Sequence, residues 1–333
     1  MAKKWSSRLT FFAFVVLMVG LGSNDSLRGI FSTIFQEHFS LTTTQLGLIV
    51  TASYIGNLVF LLVGGNLSTR FSKKRVLQVL ILIWMAALAL FAFTSNYTVL
   101  LIGMALALGS STLLNTTMNL ITPLLFATAP GFFVNFLFFT QEIGTSGSQY
   151  ILGSHADGFS FWQHTNLVLL ILGAVAFVLL LFCNVPEEAA APADAPAQKG
   201  GYDWRIIVPY VLVFGFYFIA EHGVMNWMVA YGVDGLGLPQ ASAAKYLSVF
   251  FGGMMIGRLC LSPLVDKLGA LKSLAAFGGV SCVLYLIGSL GGAVTMPVWA
   301  ISGLSFSILY PTLVMSIRLY FPAQQVSGAA GTI

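Results

Sequence analysis

The chain has 333 residues, of which 57% are hydrophobic and only 8% are charged, whereas ordinary soluble domains carry about 25% charged residues. A soluble fold has too little interior to bury this apolar excess, so the sequence predicts a protein of the lipid bilayer, where only helices or closed barrels span. The apolar runs do not alternate, which favours helices. The net charge of +4 comes from dispersed Lys and Arg residues, which argues against a nucleic-acid partner.

Ten apolar stretches along the chain are long enough to cross a bilayer as helices, which takes about 20 residues. The first follows Lys3, Lys4 and Arg8 and is too long for a cleaved signal peptide. The chain ends at Ile333 within what reads as part of an eleventh span, so we expect the native protein to be longer. The predicted spans cover residues 9–34, 42–66, 76–94, 97–123, 131–153, 165–184, 205–231, 242–264, 271–290 and 294–317.

The distribution of basic residues predicts the orientation, because cytoplasmic loops retain Lys and Arg. The connections near His38, Asn96, Asp157, Asp234 and Gly291 contain neither residue type. We therefore expect a multi-pass protein of the cell inner (plasma) membrane with a cytoplasmic N-terminus. The basic residues of the opposite connections are Lys3, Lys4, Arg8, Arg70, Lys73, Lys74, Arg75, Lys199, Arg205, Lys267, Lys272 and Arg318.

One long connection divides the chain after six spans. Residues 186–203 read PEEAAAPADAPAQKGGYD, and this Ala, Pro and Gly content is typical of a flexible linker. The sequence thus predicts an N-terminal six-helix bundle over residues 1–185, a cytoplasmic linker over 186–204, and an incomplete C-terminal bundle over 205–333.

The two halves also share a loop pattern, which indicates an internal repeat. The loop after span 2 reads GNLSTRFSKKR from Gly65 to Arg75, and the loop six spans later reads SPLVDKLGALK from Ser262 to Lys272. Both resemble the loop motif of the major facilitator superfamily, although Thr69 and Ser72 replace Asp and Gly in the first copy and Ser262 replaces Gly in the second.

Further segments resemble the fucose:proton symporter branch of that superfamily. They are Asn24–Asp25 in span 1, FSLTTTQLGLI from Phe39 to Ile49, Ile256–Gly257–Arg258 in span 8, and Tyr310–Pro311–Thr312 in span 10. The resemblance implies an all-α integral membrane fold of two six-helix halves, alternating access, and proton-driven uptake of a neutral sugar. The chain departs from the family where Asn115 stands at the position of a span 4 carboxylate and Phe138 at that of a Gln.

Three carboxyl groups lie near the middle of predicted spans, where an ionised side chain is costly and usually functional. Asp25 in span 1 and Glu221 in span 7 lie at similar depths in the two halves, and Glu142 lies in span 5. Desolvation enables such a group to bind and release a proton near neutral pH, so these are candidate proton-coupling residues, with Asp25 first. A structural pair of Asp25 with Arg28 is the alternative for that residue.

Sugar recognition needs amides or carboxylates interleaved with aromatic rings, although Asn side chains in membranes also link helices. Arg258 and Asp266, near the cytoplasmic end of span 8, are predicted to form a gating contact, and Arg70 in the first loop copy is assigned to gating as well. The candidate substrate-binding residues are Asn115, Asn119, Asn135, Gln141, Asn226 and Trp227.

The leading hypothesis is a secondary transporter that needs no cofactor or metal and draws its energy from a proton gradient. We expect its partners to be a small-molecule substrate and the lipid bilayer, and its working form to be a monomer. Efflux of an amphiphilic compound, favoured by the 28 Phe residues, or a transport-dead sensor with the same fold are the alternatives. Scattered histidines and the absence of an HExxH or phosphate-loop motif argue against an enzyme.

Two smaller motifs predict local structure. Gly253 and Gly257 form a small-xxx-small spacing that would let span 8 approach a neighbouring helix closely. Pro311 lies inside span 10 and is predicted to kink it, because proline removes a backbone donor and crowds the carbonyl four residues earlier. Both are local predictions about packing rather than about function.

Overall fold

The structure is a computed structural model that describes residues 2–126, 130–186, 204–316 and 319–320. Within these ranges the side chains of residues 2–6, 65–70, 130–132, Asn135, Ser262, Asp266 and Met315 lie outside the description. The described residues form helices and connecting turns, without a β-strand. They fall into two compact units, Met1–Glu188 and Ala189–Ile333. Residues 187–203 of the predicted linker lie outside the described residues, and Trp204, its last predicted residue, begins a helix.

The first unit, called unit 1 below, contains seven helices that account for the six predicted spans. Helix α7 packs against α1 and α4, while α5 packs against α3 and α4. The largest buried side chains include Trp84 of α4 and Trp162 of α7. The helices are α1 (Ala2–Ile30), α2 (Ser32–His38), α3 (Thr43–Arg70), α4 (Lys73–Phe93), α5 (Tyr97–Leu125), α6 (Pro130–Ile151) and α7 (Phe159–Phe182).

The second unit, called unit 2, contains the next four predicted spans. Its core joins α8, α9 and α12 through side chains such as Met228, Phe250 and Trp299. A π-helical turn, Tyr231–Gly235, extends α8, and a 3₁₀ turn, Ala293–Thr295, leads into α12. The helices are α8 (Trp204–Ala230), α9 (Gln240–Cys260), α10 (Ser262–Leu268), α11 (Ala270–Leu290), α12 (Met296–Phe306) and α13 (Leu309–Ser316).

Each of the ten predicted spans corresponds to helical structure. Within the described residues, eight segments are long and apolar enough to cross a membrane. The other two predicted spans, α6 and α9, are more polar because they carry Gln141 with Glu142 and Lys245 with Arg258. The sequence predicted to begin an eleventh span lies outside the described residues after Tyr320.

Two predicted spans are divided in the structure. Span 1 ends at Ile30, and the short helix α2 follows after Phe31. Span 10 divides at Ser307 and Ile308, between α12 and α13. Ser307 lies four residues before Pro311, where the proline ring meets the preceding turn and a backbone donor is missing, so the helix is interrupted at the place where the kink was predicted.

The loop after span 8 is also more ordered than a simple connection. Residues Ser262–Leu268 form helix α10, with Pro263 in its first turn, where the fixed φ of proline suits a helix start. Gly269 ends it with a φ of 80°, in the left-handed region that glycine adopts readily. The second copy of the loop motif therefore begins with a short helix.

Glycines set the closest helix contact in unit 1. A methyl group at Gly22 of α1 would meet the backbone carbonyl of Gln141, and one at Gly144 of α6 would meet that of Val19. The two backbones thus cross in direct contact, as small residues permit in membranes. This crossing fixes the position of Asp25 on α1 relative to Gln141 on α6.

Glycines also permit close helix contacts between α3 and α5 in unit 1 and between the corresponding helices α9 and α12 in unit 2. A methyl group at Gly56 of α3 would meet the backbone of Ala105 on α5, at 2.5 Å from its Cα. In unit 2, a methyl group at Gly257 of α9 would lie 2.6 Å from the carbonyl oxygen of Leu304, and one at Gly253 would lie 3.1 Å from the Leu304 nitrogen. The predicted close approach of span 8 to a neighbouring helix is confirmed.

Candidate functional site

Three amide side chains in unit 1 form a continuous hydrogen-bonded chain between α5 and α6. The Asn115 Nδ2 donates to Gln141 Oε1 over 2.7 Å, and the Asn119 Nδ2 donates to Asn115 Oδ1 over 2.6 Å. All three side chains are half-buried. The structure therefore brings together three of the predicted substrate-binding residues, which we call the amide cluster.

Asp25 joins the same region from α1. The Ser111 hydroxyl of α5 donates to Asp25 Oδ2 over 3.2 Å. Ser111 precedes Asn115 by four residues, so the two side chains lie on one face of α5. Sequence reasoning did not select Ser111, although its helical spacing from Asn115 could have indicated it. The carboxyl group and the amide cluster are thus held by one helix face.

Side-chain hydrogen bonds to backbone carbonyls strengthen the α1–α6 crossing beside this site. The Ser23 hydroxyl donates to the Gly144 carbonyl over 3.3 Å, and the Thr145 hydroxyl donates to the Gly22 carbonyl over 3.2 Å. These bonds satisfy hydroxyl groups that lipid cannot solvate. They also fix the rotation of α1 and α6 relative to each other.

Arg28, the predicted alternative partner of Asp25, is 4% exposed. Its guanidinium carbon lies 5.8 Å from the centroid of the Tyr54 ring on α3, a distance at which a cation is attracted to an aromatic face. Tyr54 was not selected from sequence. The cation of span 1 is therefore stabilised by an aromatic side chain from α3.

Glu142 is half-buried on α6, directly after Gln141. Consecutive helix residues point about 100° apart, so Glu142 lies to one side of the face on which Gln141 meets Asn115. This second proton-coupling candidate therefore follows Gln141 along α6 and lies on an adjacent face of that helix.

Unit 2 contains a separate charged group, which we call the Glu221–Arg258 cluster. Glu221 on α8 is half-buried and lies beside Tyr217, while the Arg258 charge from α9 acts on both Glu221 and the hydroxyl of Tyr310 on α13. The Tyr217 and Tyr310 rings stack with centroids 5.9 Å apart. The predicted gating contact of Arg258 with Asp266 stays a prediction, because the side chain of Asp266 lies outside the described residues.

The remaining predicted site residues are not brought into these groups by the described contacts. The Asn226 Nδ2 donates to the His222 carbonyl of its own helix over 2.7 Å, and Trp227 beside it is half-buried. The side chains of Asn135 and Arg70 lie outside the described residues. Among the described residues, no three His, Cys, Asp or Glu side chains form a group that could hold a metal ion.

A cavity of about 720 Å³ lies between α8, α11 and α13 of unit 2. Its lining is mostly apolar and aromatic and includes neither Glu221 nor Arg258. Six spans earlier in the chain, α1 and α4 of unit 1 are the helices that match α8 and α11. Helix α7 packs over α1 and α4, and the side chains of Leu172 and Trp84 lie against Gly20. The cavity therefore corresponds to a position filled by helix packing in the other unit.

The long apolar helices and the half-buried polar groups that they carry are typical of a membrane transport protein. The family model described as Major Facilitator Superfamily matches residues 10–333. The chain belongs to this superfamily, and it is a secondary transporter rather than an enzyme. The predicted fold class and family are confirmed.

The individual relatives have low sequence identity to this chain. The chain is 24% identical to the L-fucose-proton symporter of Escherichia coli (strain K12), over 87% of this chain and 75% of the symporter. It is also 24% identical to the cis,cis-muconate transport protein of Acinetobacter baylyi, over 83% of this chain and 70% of that protein. A crystal structure of the major facilitator transporter FucP in the outward conformation superposes with a TM-score of 0.67 at 20% identity, over 98% of this chain and 88% of that one, which shows a shared fold.

Proposed function

We propose that the protein imports a neutral sugar or a similar small polar solute together with protons, by alternating access. The observation that carries this proposal is the amide cluster with Asp25 beside it. Asn115, Asn119 and Gln141 offer donors and acceptors suited to sugar hydroxyls, while Asp25 supplies a carboxyl group within a membrane span. The similarity to a symporter of L-fucose agrees with this pairing.

In this account Asp25 carries the proton and the amides contact the solute. Asn115 cannot titrate, so proton transfer in unit 1 falls to Asp25, with Glu142 as a second carrier beside the cluster. The Ser111 hydroxyl donates to Asp25, which holds its carboxyl group against the face of α5 that carries Asn115. The N-terminus is cytoplasmic in the proposed orientation, and Arg70, Arg258 and Asp266 belong to the gating elements.

The test is uptake of labelled L-fucose and a panel of neutral sugars into proteoliposomes, with and without an inward proton gradient. We expect at least one sugar to accumulate only with the gradient, and Asp25→Asn to abolish that accumulation. The variant should still exchange labelled for unlabelled sugar, because exchange needs no net proton movement. Absence of uptake for every sugar would discard this function in favour of efflux or sensing.

A further inference from the structure

The Ser111 hydroxyl differs from other hydroxyl groups of α5 in its hydrogen-bond partner. Ser and Thr side chains inside membrane helices commonly donate to a carbonyl of their own helix, one turn earlier. Ser111 instead donates to the Oδ2 atom of Asp25 on α1, over 3.2 Å. The bond therefore links two helices. The α5 hydroxyl groups that donate to carbonyls of α5 itself are those of Ser110, Thr116, Thr117 and Thr122.

This bond lies in the interior of unit 1. Ser111 is 1% exposed and Asp25 is half-buried, so water does not readily replace the hydroxyl as a donor. A hydrogen bond to an ionised group is roughly twice as strong as one between neutral groups. The strength of the bond between Ser111 and Asp25 therefore depends on whether the carboxyl group is ionised or protonated.

Ser111 also lies one helical turn from the amide cluster. Ser111 and Asn115 are four residues apart on α5, about 6 Å along the helix axis, and the Asn115 amide is bonded to Gln141 on α6. A rigid helical segment carries a displacement from one of its ends to the other. A displacement of Asn115 by a bound solute therefore also displaces Ser111.

We infer that Ser111 is the positioning residue that couples solute binding to proton binding. While Asp25 is ionised, the Ser111 hydroxyl holds the carboxylate, and with it α1, against α5. When one proton binds to a carboxylate oxygen of Asp25, the side chain becomes neutral and this attraction weakens. Helix α5 is then released to adjust to the solute at Asn115. Ser111 keeps its own proton throughout.

This inference deepens the proposed function and rests on it, since it takes Asp25 as the proton carrier and Asn115 as a solute contact. The coupling acts in both directions, because linkage between two binding sites is reciprocal. A solute that holds α5 in its adjusted position therefore favours the protonated form of Asp25. Loss of the Ser111 hydroxyl should reduce the coupling without removing either binding site.

The test measures protons and sugar together in proteoliposomes that contain a pH-sensitive dye. The probes are labelled L-fucose, D-galactose and D-glucose, and the variants are compared at equal amounts of folded protein. Ser111→Ala should lower gradient-driven accumulation of the transported sugar about tenfold, the effect of losing one hydrogen bond to a charged group. Fewer protons should enter with each sugar, while labelled sugar still exchanges for unlabelled sugar.

A second substitution separates hydrogen bonding from packing. Ser111→Cys nearly keeps the size of the side chain, but a thiol is a weak hydrogen-bond donor. Because the hydroxyl positions Asp25, Ser111→Cys should lose accumulation as Ser111→Ala does. Accumulation at the parent level in Ser111→Cys, together with a loss in Ser111→Ala, would show that Ser111 only fills space and would overturn the inference.

The adjacent Ser110 provides the matched control. It is fully buried, and its hydroxyl donates to the carbonyls of Leu106 and Ala107 on its own helix, over 2.6 and 3.2 Å. Ser110→Ala therefore removes a buried hydroxyl group and leaves the bond to Asp25 in place. Accumulation and the number of protons per sugar should stay at the parent values. An equal loss in Ser110→Ala and Ser111→Ala would assign the effect to the packing of α5.

A background without the carboxylate shows whether Ser111 acts through Asp25. Adding Ser111→Ala to Asp25→Asn should leave the exchange rate of Asp25→Asn unchanged, because the interaction is already removed. A further loss of exchange contradicts the inference, as does parent-level accumulation in Ser111→Ala alone. In both cases, sugar accumulation by the parent protein leaves the proposed function standing. A parent protein that accumulates none of these sugars refutes the proposed function and the inference with it.

Discussion

Asn115 on α5 donates its side-chain amide hydrogen to the side-chain oxygen of Gln141 on α6 across 2.7 Å. The bond links two helices and aligns the remaining donors and acceptors of both amides. The resemblance to the symporter branch predicts a carboxylate at the position of Asn115, and an Asn side chain does not titrate. In this protein the position therefore contributes hydrogen bonding rather than proton transfer.

The first prediction concerns this pair. Asn115→Ala and Gln141→Ala should each weaken solute binding about five- to tenfold, because each removes a donor and an acceptor worth about 1 kcal/mol. In unfolding measurements, the double-mutant cycle should give a coupling of about 0.6 kcal/mol, the mean measured for hydrogen bonds between membrane helices, and at most about 1.7 kcal/mol, the largest value measured.

Asn166→Ala is the matched control for the amide pair. Asn166 is fully buried on α7, and its amide donates to the Trp162 carbonyl of the same helix over 2.8 Å. This substitution should lower stability and leave solute affinity unchanged. Equal losses of affinity in Asn166→Ala and Asn115→Ala would show that the amide cluster has no special part in binding.

The second prediction concerns the α1–α6 crossing. Gly22→Ala or Gly144→Ala should lower the free energy of unfolding by about 1–3 kcal/mol, because the added methyl group meets backbone that cannot move aside easily. Gly147→Ala, on the same helix, has no neighbour within 4 Å of the added methyl group. It should be neutral or stabilise by up to about 1 kcal/mol through helix propensity.

Unfolding of the purified variants in mixed micelles, followed by circular dichroism, gives the comparison. Because the crossing also positions Asp25 against the amide cluster, Gly22→Ala should reduce gradient-driven uptake more than Gly147→Ala at equal amounts of folded protein. Equal stability of Gly144→Ala and Gly147→Ala would contradict the close contact.

The third prediction concerns the glycine contact of unit 2, where α9 crosses α12. Gly257→Ala in α9 should destabilise unit 2 by about 1–3 kcal/mol, since the added methyl group would lie 2.6 Å from the Leu304 carbonyl oxygen. Gly279→Ala in α11 has open space around the methyl group and is the control. Proteolysis at increasing temperature, with fragments assigned by mass, should show earlier cleavage of unit 2 in Gly257→Ala alone.

The fourth prediction concerns Lys74 in the first turn of α4, which contacts the C-terminal end of α7. Its Nζ donates to the carbonyls of Leu181 over 2.9 Å and Cys183 over 2.7 Å, which satisfies carbonyls at a helix C-terminus and balances its dipole. Lys74→Met should therefore loosen the last turn of α7. The side chain of Cys183, only 2% exposed in the structure, should then become more accessible. The measurement is the rate of maleimide labelling in a background with Cys260 and Cys282 replaced by Ser.

The neighbouring Arg75→Met provides the control, because it removes a positive charge from an exposed residue. Labelling should accelerate several-fold in Lys74→Met and stay at the parent rate in Arg75→Met. The same rate in both variants would mean that Lys74 does not hold the end of α7.

Much of the fold could be predicted from sequence because each span satisfies its own backbone hydrogen bonds within a continuous apolar run. The break in span 10 was predictable from Pro311, and the close approach of span 8 from Gly253 and Gly257. The end of α1 at Ile30 was not, since Phe31 carries no local signal for a break. Helix α10 was missed because its motif was interpreted as a loop.

The candidate site was predicted less completely. Asn115, Asn119 and Gln141 were selected one by one as amides in spans. The hydrogen bond between Asn115 and Gln141 depends on how α5 and α6 pack, which the sequence alone does not show. Ser111 is visible in hindsight from its four-residue spacing to Asn115. The predicted contact of Arg258 with Asp266 stays a prediction, because the Asp266 side chain lies outside the described residues.

We propose that solute and proton cross together and that Asp25 carries the proton. The most direct measurement loads proteoliposomes with a pH-sensitive dye, without an imposed gradient, and adds the neutral sugar that gives the strongest uptake. The account predicts that sugar entry acidifies the lumen, and that Asp25→Asn vesicles exchange the sugar without acidification. Sugar entry into parent vesicles with no change of internal pH would contradict it.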